Sequence, residues 1–223
     1  MAWADLLVNQ RYLYHQAVSL IKSSQNHTRI CWILKCDIKK FFNSIDHEIL
    51  LKILNSYIPD KNIIWLLERI IDSFSVVPGK GLPLGNLTPQ LFANIYMNKF
   101  DQFVKRKLKI KDYLRYADDF VVLSSMRAPL IELIPKIGDF LSRVLKLSLH
   151  PSKVSIKTLA SGVDFLGWVH FPDHRVLRTA TRRRMMKRIL ENTKNGTLQS
   201  YSGLLSHGNT NGVRKKIASL RSQ

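Results

Sequence analysis

Cysteine is nearly absent from this 223-residue chain, which has only Cys31 and Cys36. Five positions apart on one expected strand, they point to opposite faces, so no disulfide is expected and both read as small buried hydrophobes. His170 and His174 are spaced like metal ligands but have no cysteine or acidic companions in register, so no zinc site is expected. Long apolar runs are missing as well. The longest, such as Ile63-Ile64-Trp65-Leu66-Leu67, fall far short of the roughly 18–20 residues that span a bilayer, which argues against membrane insertion. The N-terminus, interrupted by Asp5, Asn9, Gln10 and Arg11, lacks the pattern of a signal peptide, and a cytosolic location follows by default. Acids are scarce: 16 Asp and Glu stand against 35 Lys and Arg, a net charge of +19. That excess points to a polyanionic partner, nucleic acid first and an anionic membrane surface second. With 45% hydrophobic residues, the chain can build one ordinary domain, or a domain with a smaller appendage.

Because acids are few, their positions carry weight. Asp37 ends the apolar run Leu34-Lys35-Cys36, and Asp118-Asp119 interrupts Tyr113 to Leu123, where two strand-like runs flank a tight acidic turn. An Asp-Asp doublet alone is most often a surface turn, but a solvated turn does not require apolar strands on both sides. Three carboxylates crowded at one sheet edge repel one another unless cations neutralise them, so the pattern implies metal. Two Mg²⁺ ions held about 3.5–4 Å apart suit an in-line phosphoryl displacement.

The rest of the chain reads as helix over about 12–24, strand over Arg29 to Cys36, and a helix capped by Ser44 or Asp46 that runs to about Asn55. Another helix is expected over Ile63 to Phe74. Glycine and proline then concentrate in the loop from Val77 to Gln90, implying special backbone angles or close approach of backbone to a ligand. A long helix over Gln90 to Leu108 has an apolar front half that should lie under the sheet and a basic tail. The stretch from Pro129 to Leu145 reads as a helix broken or kinked near Pro135 and Gly138. Short strands are expected near Val154–Ile156 and Val163–Val169. The sum is an α+β fold: a small antiparallel sheet with helices on one face and the other face open for a ligand. Pairing of the two acid-bearing strands would bring all three aspartates together.

Composition shifts after about residue 170. The final segment holds twelve Lys or Arg against two acids. There Thr181 is the expected cap of a helix presenting Arg182, Arg183, Arg184, Lys187 and Arg188, with Met185, Ile189 and Leu190 packed inward. Such a face can be merely solvated, or membrane-surface in type; beside a metal site, phosphate contacts are the stronger reading.

These residues together resemble the reverse transcriptases, the right-hand-shaped RNA-dependent DNA polymerases. Tyr116-Ala117-Asp118-Asp119 is similar to the family's aromatic-x-Asp-Asp element, Asp37 with Phe41-Phe42 to its first acidic element, and Leu82-Pro83-Leu84-Gly85 to its nucleotide-pocket element. Gly162 to Trp168 resembles the primer-gripping hairpin, and His150-Pro151-Ser152-Lys153 a segment carrying a mobile lysine. The resemblance implies a palm over about 28–169, a basic helical thumb over 170–223, and only a fingers-side remnant over 1–27, with the fingers otherwise absent. It further implies two Mg²⁺ ions, replaceable by Mn²⁺, on Asp37, Asp118, Asp119 and the Ile38 carbonyl. Lys153 would be a general acid. Ile38, Phe41, Phe42, Leu84, Gly85 and Gln90 would line the dNTP pocket, with Phe42 as a steric gate or, alternatively, a core residue. Phe165, Leu166, Gly167 and Trp168 would grip the primer, although Phe165 and Trp168 could equally be core. The implied partners are template RNA, a DNA or RNA primer, dNTPs and a small basic accessory protein, in a bacterial or phage-encoded system.

Gly81 to Tyr96 and Ser200 to His207 look most like the error-prone diversity-generating retroelement group, in which an aliphatic residue such as Leu84 replaces the usual glutamine. Pro89 departs from that group's serine, and group II intron-type and phage-defence enzymes remain open. A catalytically incomplete nucleic-acid-binding fragment is the reading of a different class.

Overall fold

The computed structural model describes residues 30–83, 87–191, 195–206 and 208–221. They form two compact units, one spanning Trp32–Ile156 and the other built from the described residues after it together with Ile30 and Cys31. The expected helix over 12–24, the 1–27 remnant, Leu84, Gly85 and His207 lie outside the described residues.

In the first unit, β1 (Trp32–Asp37) leads into a turn in which Lys40 takes a left-handed φ of 46°, and a short helix α1 (Phe41–Ser44) follows. Asp46, rather than Ser44, caps α2 (His47–Asn55): its carboxylate accepts from the Ile49 N–H, one of the donors that a helix start leaves unpaired. Asp60 caps α3 (Lys61–Asp72) in the same way. The long helix α4 (Leu87–Gln102) begins three residues earlier than its expected start and tolerates Pro89 in its first turn, where no intrahelical N–H bond is lost. Phe92, Ala93, Tyr96, Met97 and Phe100 form its buried stripe, and a π-turn, Phe103–Lys107, ends it.

Strands β2 (Tyr113–Tyr116) and β3 (Asp119–Ser124) make the acidic hairpin, and α5 (Arg127–Leu145) returns along the sheet. Of the break or kink expected near Pro135 and Gly138, the break is absent: α5 runs through both residues. The ring lies on the exposed side, where water can serve the carbonyl that loses its partner, while Leu130, Ile137, Leu141 and Leu145 anchor both halves to one core. Cys31 and Cys36 are free and buried, as expected.

With β4 (Ser155–Thr158), the sheet order is β2-β3-β1-β4. Strand β1 runs antiparallel to β3 with Leu34 opposite Val122, Lys35 opposite Val121 and Asp37 opposite Asp119. The alternation assigns the faces. Leu34, Cys36, Phe120, Val122 and Tyr113 face the helices, where the Phe100 ring meets Phe120 and Tyr113 edge-on at 5.0 and 6.0 Å. Lys35, Asp37, Asp119 and Tyr116 share the other face with Ile33, Leu114, Val121 and Leu123. That face was expected to be open, but these four apolar residues are all buried, so it opens only at its carboxylate end.

The second unit contains a three-stranded meander, β5 (Val163–Phe165), β6 (Trp168–His170) and β7 (Arg175–Leu177). The single stretch expected over Val163–Val169 is thus a hairpin, turning at Leu166 and Gly167 with φ of 53° and 83°. Helices α6 (Thr179–Glu191), α7 (Asn195–Leu205) and α8 (Asn211–Arg221) follow. Trp168 and Leu177 pack with Met185 and Ile189 of α6 and Leu205 of α7. Gly208 approaches the Trp168 ring so closely that a Cβ would collide with it.

Candidate active site

The site rests on the register of β1. Direct cross-strand partners have Cβ atoms about 4.5–5.5 Å apart, so pairing Asp37 with Asp119 puts two carboxylates side by side on one face. Asp118 occupies the turn, set by Ala117 at a left-handed φ of 51°. The three aspartates separated in sequence therefore meet at one end of the sheet.

Their surroundings are half-buried, and the electrostatics follow. Burial is the main cause that pushes the Asp118 and Asp119 carboxyls above their ordinary range, and the neighbouring carboxylates push the same way. Two lysines answer part of this charge. Lys153 Nζ donates to Asp37 Oδ2 at 2.9 Å, and Lys35 Nζ stands 3.8 Å from Asp119 Oδ1. The Asp37 carboxylate in turn raises the Lys153 ammonium above its usual value. The turn carrying Lys153 is stitched to the site through His150, whose N–H donates to the Asp37 carbonyl at 2.8 Å and whose Nδ1 accepts from the Ser152 N–H at 3.3 Å.

The donors suit a hard divalent cation, since every one is oxygen and the Asp118 and Asp119 carboxylates remain disfavoured, by burial first and by neighbouring carboxylates second, even beside the lysines. In this arrangement no three Asp, Glu, His or Cys side chains among the described residues close around one point. The ammonium of Lys153 occupies the cationic position beside Asp37. Ile38 offers only its backbone, because its side chain is in the core. It pairs with Leu149 in an antiparallel bridge whose bonds run through the flanking residues, Lys39 to Ser148 and His150 to Asp37. In that pairing the central carbonyl points away from its partner, toward the side of β1 where β3 lies.

The other expected residues divide sharply. Phe42 is partly buried at the edge of the core, its ring 5.2 Å from Phe41, and its carbonyl accepts from the Leu82 N–H at 2.8 Å. Phe41 is core and presents no surface to a nucleotide. Gln90 is exposed on the first turns of α4. In the second unit, Phe165 and Trp168 are 0% and 1% exposed, so their side chains hold that unit together; of the expected gripping segment only the Leu166-Gly167 turn is accessible. Arg182, Arg183, Arg184, Lys187 and Arg188 are all exposed on α6. Arg182, Arg183, Lys187 and Lys216 of α8 line a groove of about 710 Å³ floored by Met186 and Val213. Two local expectations fail there. The helix begins at Thr179, so Thr181 is not its cap, and Leu190 is 63% exposed because Met186 takes the inward place.

Sequence reasoning missed the parts played by Lys35 and His47, and named His150 only as a member of the segment carrying Lys153. The buried His47 donates through Nε2 to the Gly81 carbonyl at 2.7 Å, and its Nδ1 lies 3.2 Å from Asp72 Oδ1, so it ties the Gly/Pro loop to α2 and α3. Lone residues of these types have no periodic signal. Only the Lys35 alternation with Asp37, two positions on along one strand, was there to be read.

Comparison with known proteins adds an independent line. A family model described as "Reverse transcriptase (RNA-dependent DNA polymerase)" matches residues 5–170. Protein YkfC of Escherichia coli is 25% identical over 209 residues, covering 75% of this chain and 53% of its own length. The group II intron-encoded protein LtrA of Lactococcus lactis is 23% identical over 253 residues, covering 83% of this chain and 41% of LtrA. The chain thus spans about half the length, or less, of these relatives. Among solved structures, apo telomerase from Candida tropicalis superposes with a TM-score of 0.59 at 14% identity, over 80% of this chain and 37% of that one, which shows a shared fold.

Proposed function

The chain belongs to the reverse transcriptase family, and we propose that it carries out RNA-templated DNA synthesis, extending a primer 3′-hydroxyl from dNTPs at the Asp37–Asp118–Asp119 end of the sheet. The observation that carries this reading is the direct pairing of Asp37 with Asp119 beside the Asp118 turn. Asp37, Asp118, Asp119 and the Ile38 carbonyl would hold two Mg²⁺ ions, or Mn²⁺ in their place. When bound, such ions activate the attacking hydroxyl and stabilise the leaving oxygen. The primer oxygen forms a bond to the α-phosphorus as the bond to pyrophosphate breaks, in line.

Lys153, whose ammonium donates to Asp37 Oδ2 at 2.9 Å, would serve as proton donor to the departing pyrophosphate, with the cations on the aspartates supplying the charge that now holds it. Phe42, half-buried and fixed through its carbonyl, acts as a gate by giving a ribose 2′-hydroxyl neither room nor partner. The exposed cations of α6 bind the template–primer backbone without reading its sequence. Template RNA, a DNA or RNA primer and dNTPs are the partners on this reading. The named group II intron relative favours that type of system, whereas Leu84 favours lower fidelity; Leu84→Gln is expected to reduce misincorporation at template adenines if fidelity is set there.

Primer extension on an RNA template with Mg²⁺ tests the proposal. Asp118→Ala/Asp119→Ala should lose synthesis by about 10³-fold or more, given the several kcal/mol that metal-bound groups supply to the transition state. RNA binding should survive. Wild-type protein that binds RNA in a salt-sensitive way but never extends a primer would instead be a binding fragment.

A further inference from the structure

Arg115 stands opposite Phe120 in the β2–β3 ladder and so projects to the helix face, away from the carboxylates. Its side chain is 9% exposed there. Nε and Nη2 form a two-pronged pair with Asp101 of α4, at 2.8 Å to Oδ1 and 2.6 Å to Oδ2, and the Tyr113 hydroxyl donates to the same Oδ1 at 2.8 Å. Burial works against the guanidinium charge, but Asp101 outweighs it and holds the group above its ordinary range. A pair with Asp101 needs only those two nitrogens. The third, Nη1, donates to the Ala117 carbonyl at 3.0 Å and to Asn94 Oδ1 at 3.3 Å. Asn94 and Asp101 are two turns apart on α4, so both lie on one face of that helix.

Ala117 is the residue this grip restrains, and its left-handed φ of 51° is a conformation that an L-residue adopts only at a cost. The next two residues are Asp118 and Asp119. We infer that Arg115 is a positioning residue: it holds the Ala117 carbonyl from behind the sheet and thereby sets the spacing of the two carboxylates for a divalent cation. This rests on the reading of those carboxylates as a metal site. Only a planar fork with several donors can serve Asp101 and the Ala117 carbonyl at once; a lysine can satisfy one or the other.

Two variants and three readouts test it, on the full chain without nucleic acid. Arg115→Lys keeps the charge, and the exchange Arg115→Asp with Asp101→Arg re-forms the ion pair but leaves no donor for Ala117. Mn²⁺ binding, followed by electron paramagnetic resonance, should weaken about tenfold or more in both, as expected for a lost partner behind the metal ligands. Hydrogen exchange should quicken at the amides of Ala117 to Asp119 while those of Val121 and Val122 stay protected, and the charge exchange should recover the melting temperature without recovering either property. The inference is overturned if the exchange variant regains Mn²⁺ affinity together with stability, or if Arg115→Lys leaves turn exchange unchanged. Wild-type protein without Mn²⁺ affinity would sink the metal reading alone, and turn exchange would still decide the role of Arg115.

Discussion

The carboxylate end of the palm sheet and the basic helix α6 use charge in opposite ways. At the sheet end, Asp37 is buried on β1 while Asp118 in the turn and Asp119 on β3 are half-buried and raised in part by the carboxylates beside them, and two lysines are drawn in against the cluster. On α6, five cations project into solvent, and among the described residues only Lys187 pairs with an acid, Glu191 at 3.7 Å. Partly desolvated charges interact strongly and serve specific chemistry, while exposed charges are screened and act by their sum. A change at the first region should therefore alter a reaction, and a change at the second should alter an affinity and its salt dependence.

After the double aspartate variant, the largest expected break in that contrast is Lys153→Met. Removing the only described side chain that donates to Asp37 should slow primer extension by about 10²-fold or more, the usual contribution of a positioned general acid, with RNA binding within a few-fold of wild type. A steady-state assay paired with filter binding checks both halves. Next in size is a buried group that belongs to neither region. His170, at 1% exposure, has no partner for Nδ1 among the described residues, and burial pulls its imidazole down to about 4. An unfolded histidine takes its proton near pH 6.5, so between about 6.5 and 4 the unfolded state binds more protons and stability falls as pH drops. The loss should approach about 3 kcal/mol by pH 4, as an upper figure, in urea titrations, and His170→Leu should remove that share of the slope. The smallest effect sharpens the contrast: Arg183→Gln should lower RNA affinity modestly and flatten the salt dependence by about one unit, leaving the melting temperature unchanged.

Legibility in the sequence followed locality. The acidic hairpin was readable because Tyr113–Tyr116 and Asp119–Ser124 are apolar strands on either side of a short turn, α2 because Asp46 announces its start, and α3 because Ile63, Leu66, Leu67 and Ile70 recur at helical spacing. Pro135 misled because its effect depends on which side of α5 it occupies, a matter of packing. Phe165 and Trp168 read equally as contacts or core; both are buried, and for Trp168 it was the arrival of Met185, Ile189 and Leu205 that decided for core. Arg115 left no sign at all, since Asp101 and Asn94 reach it from a separate helix.

By itself, the chain's own order of residues determined the acidic turn, most elements of the first unit and the basic helix α6, because capping, alternation and helical spacing act within a few residues. Tertiary structure alone decided that Asp37 faces Asp119 rather than the helices, which a slip of one residue between β1 and β3 would reverse. It also decided which lysines answer those charges, because contacts between distant segments form only when a common core sets their register.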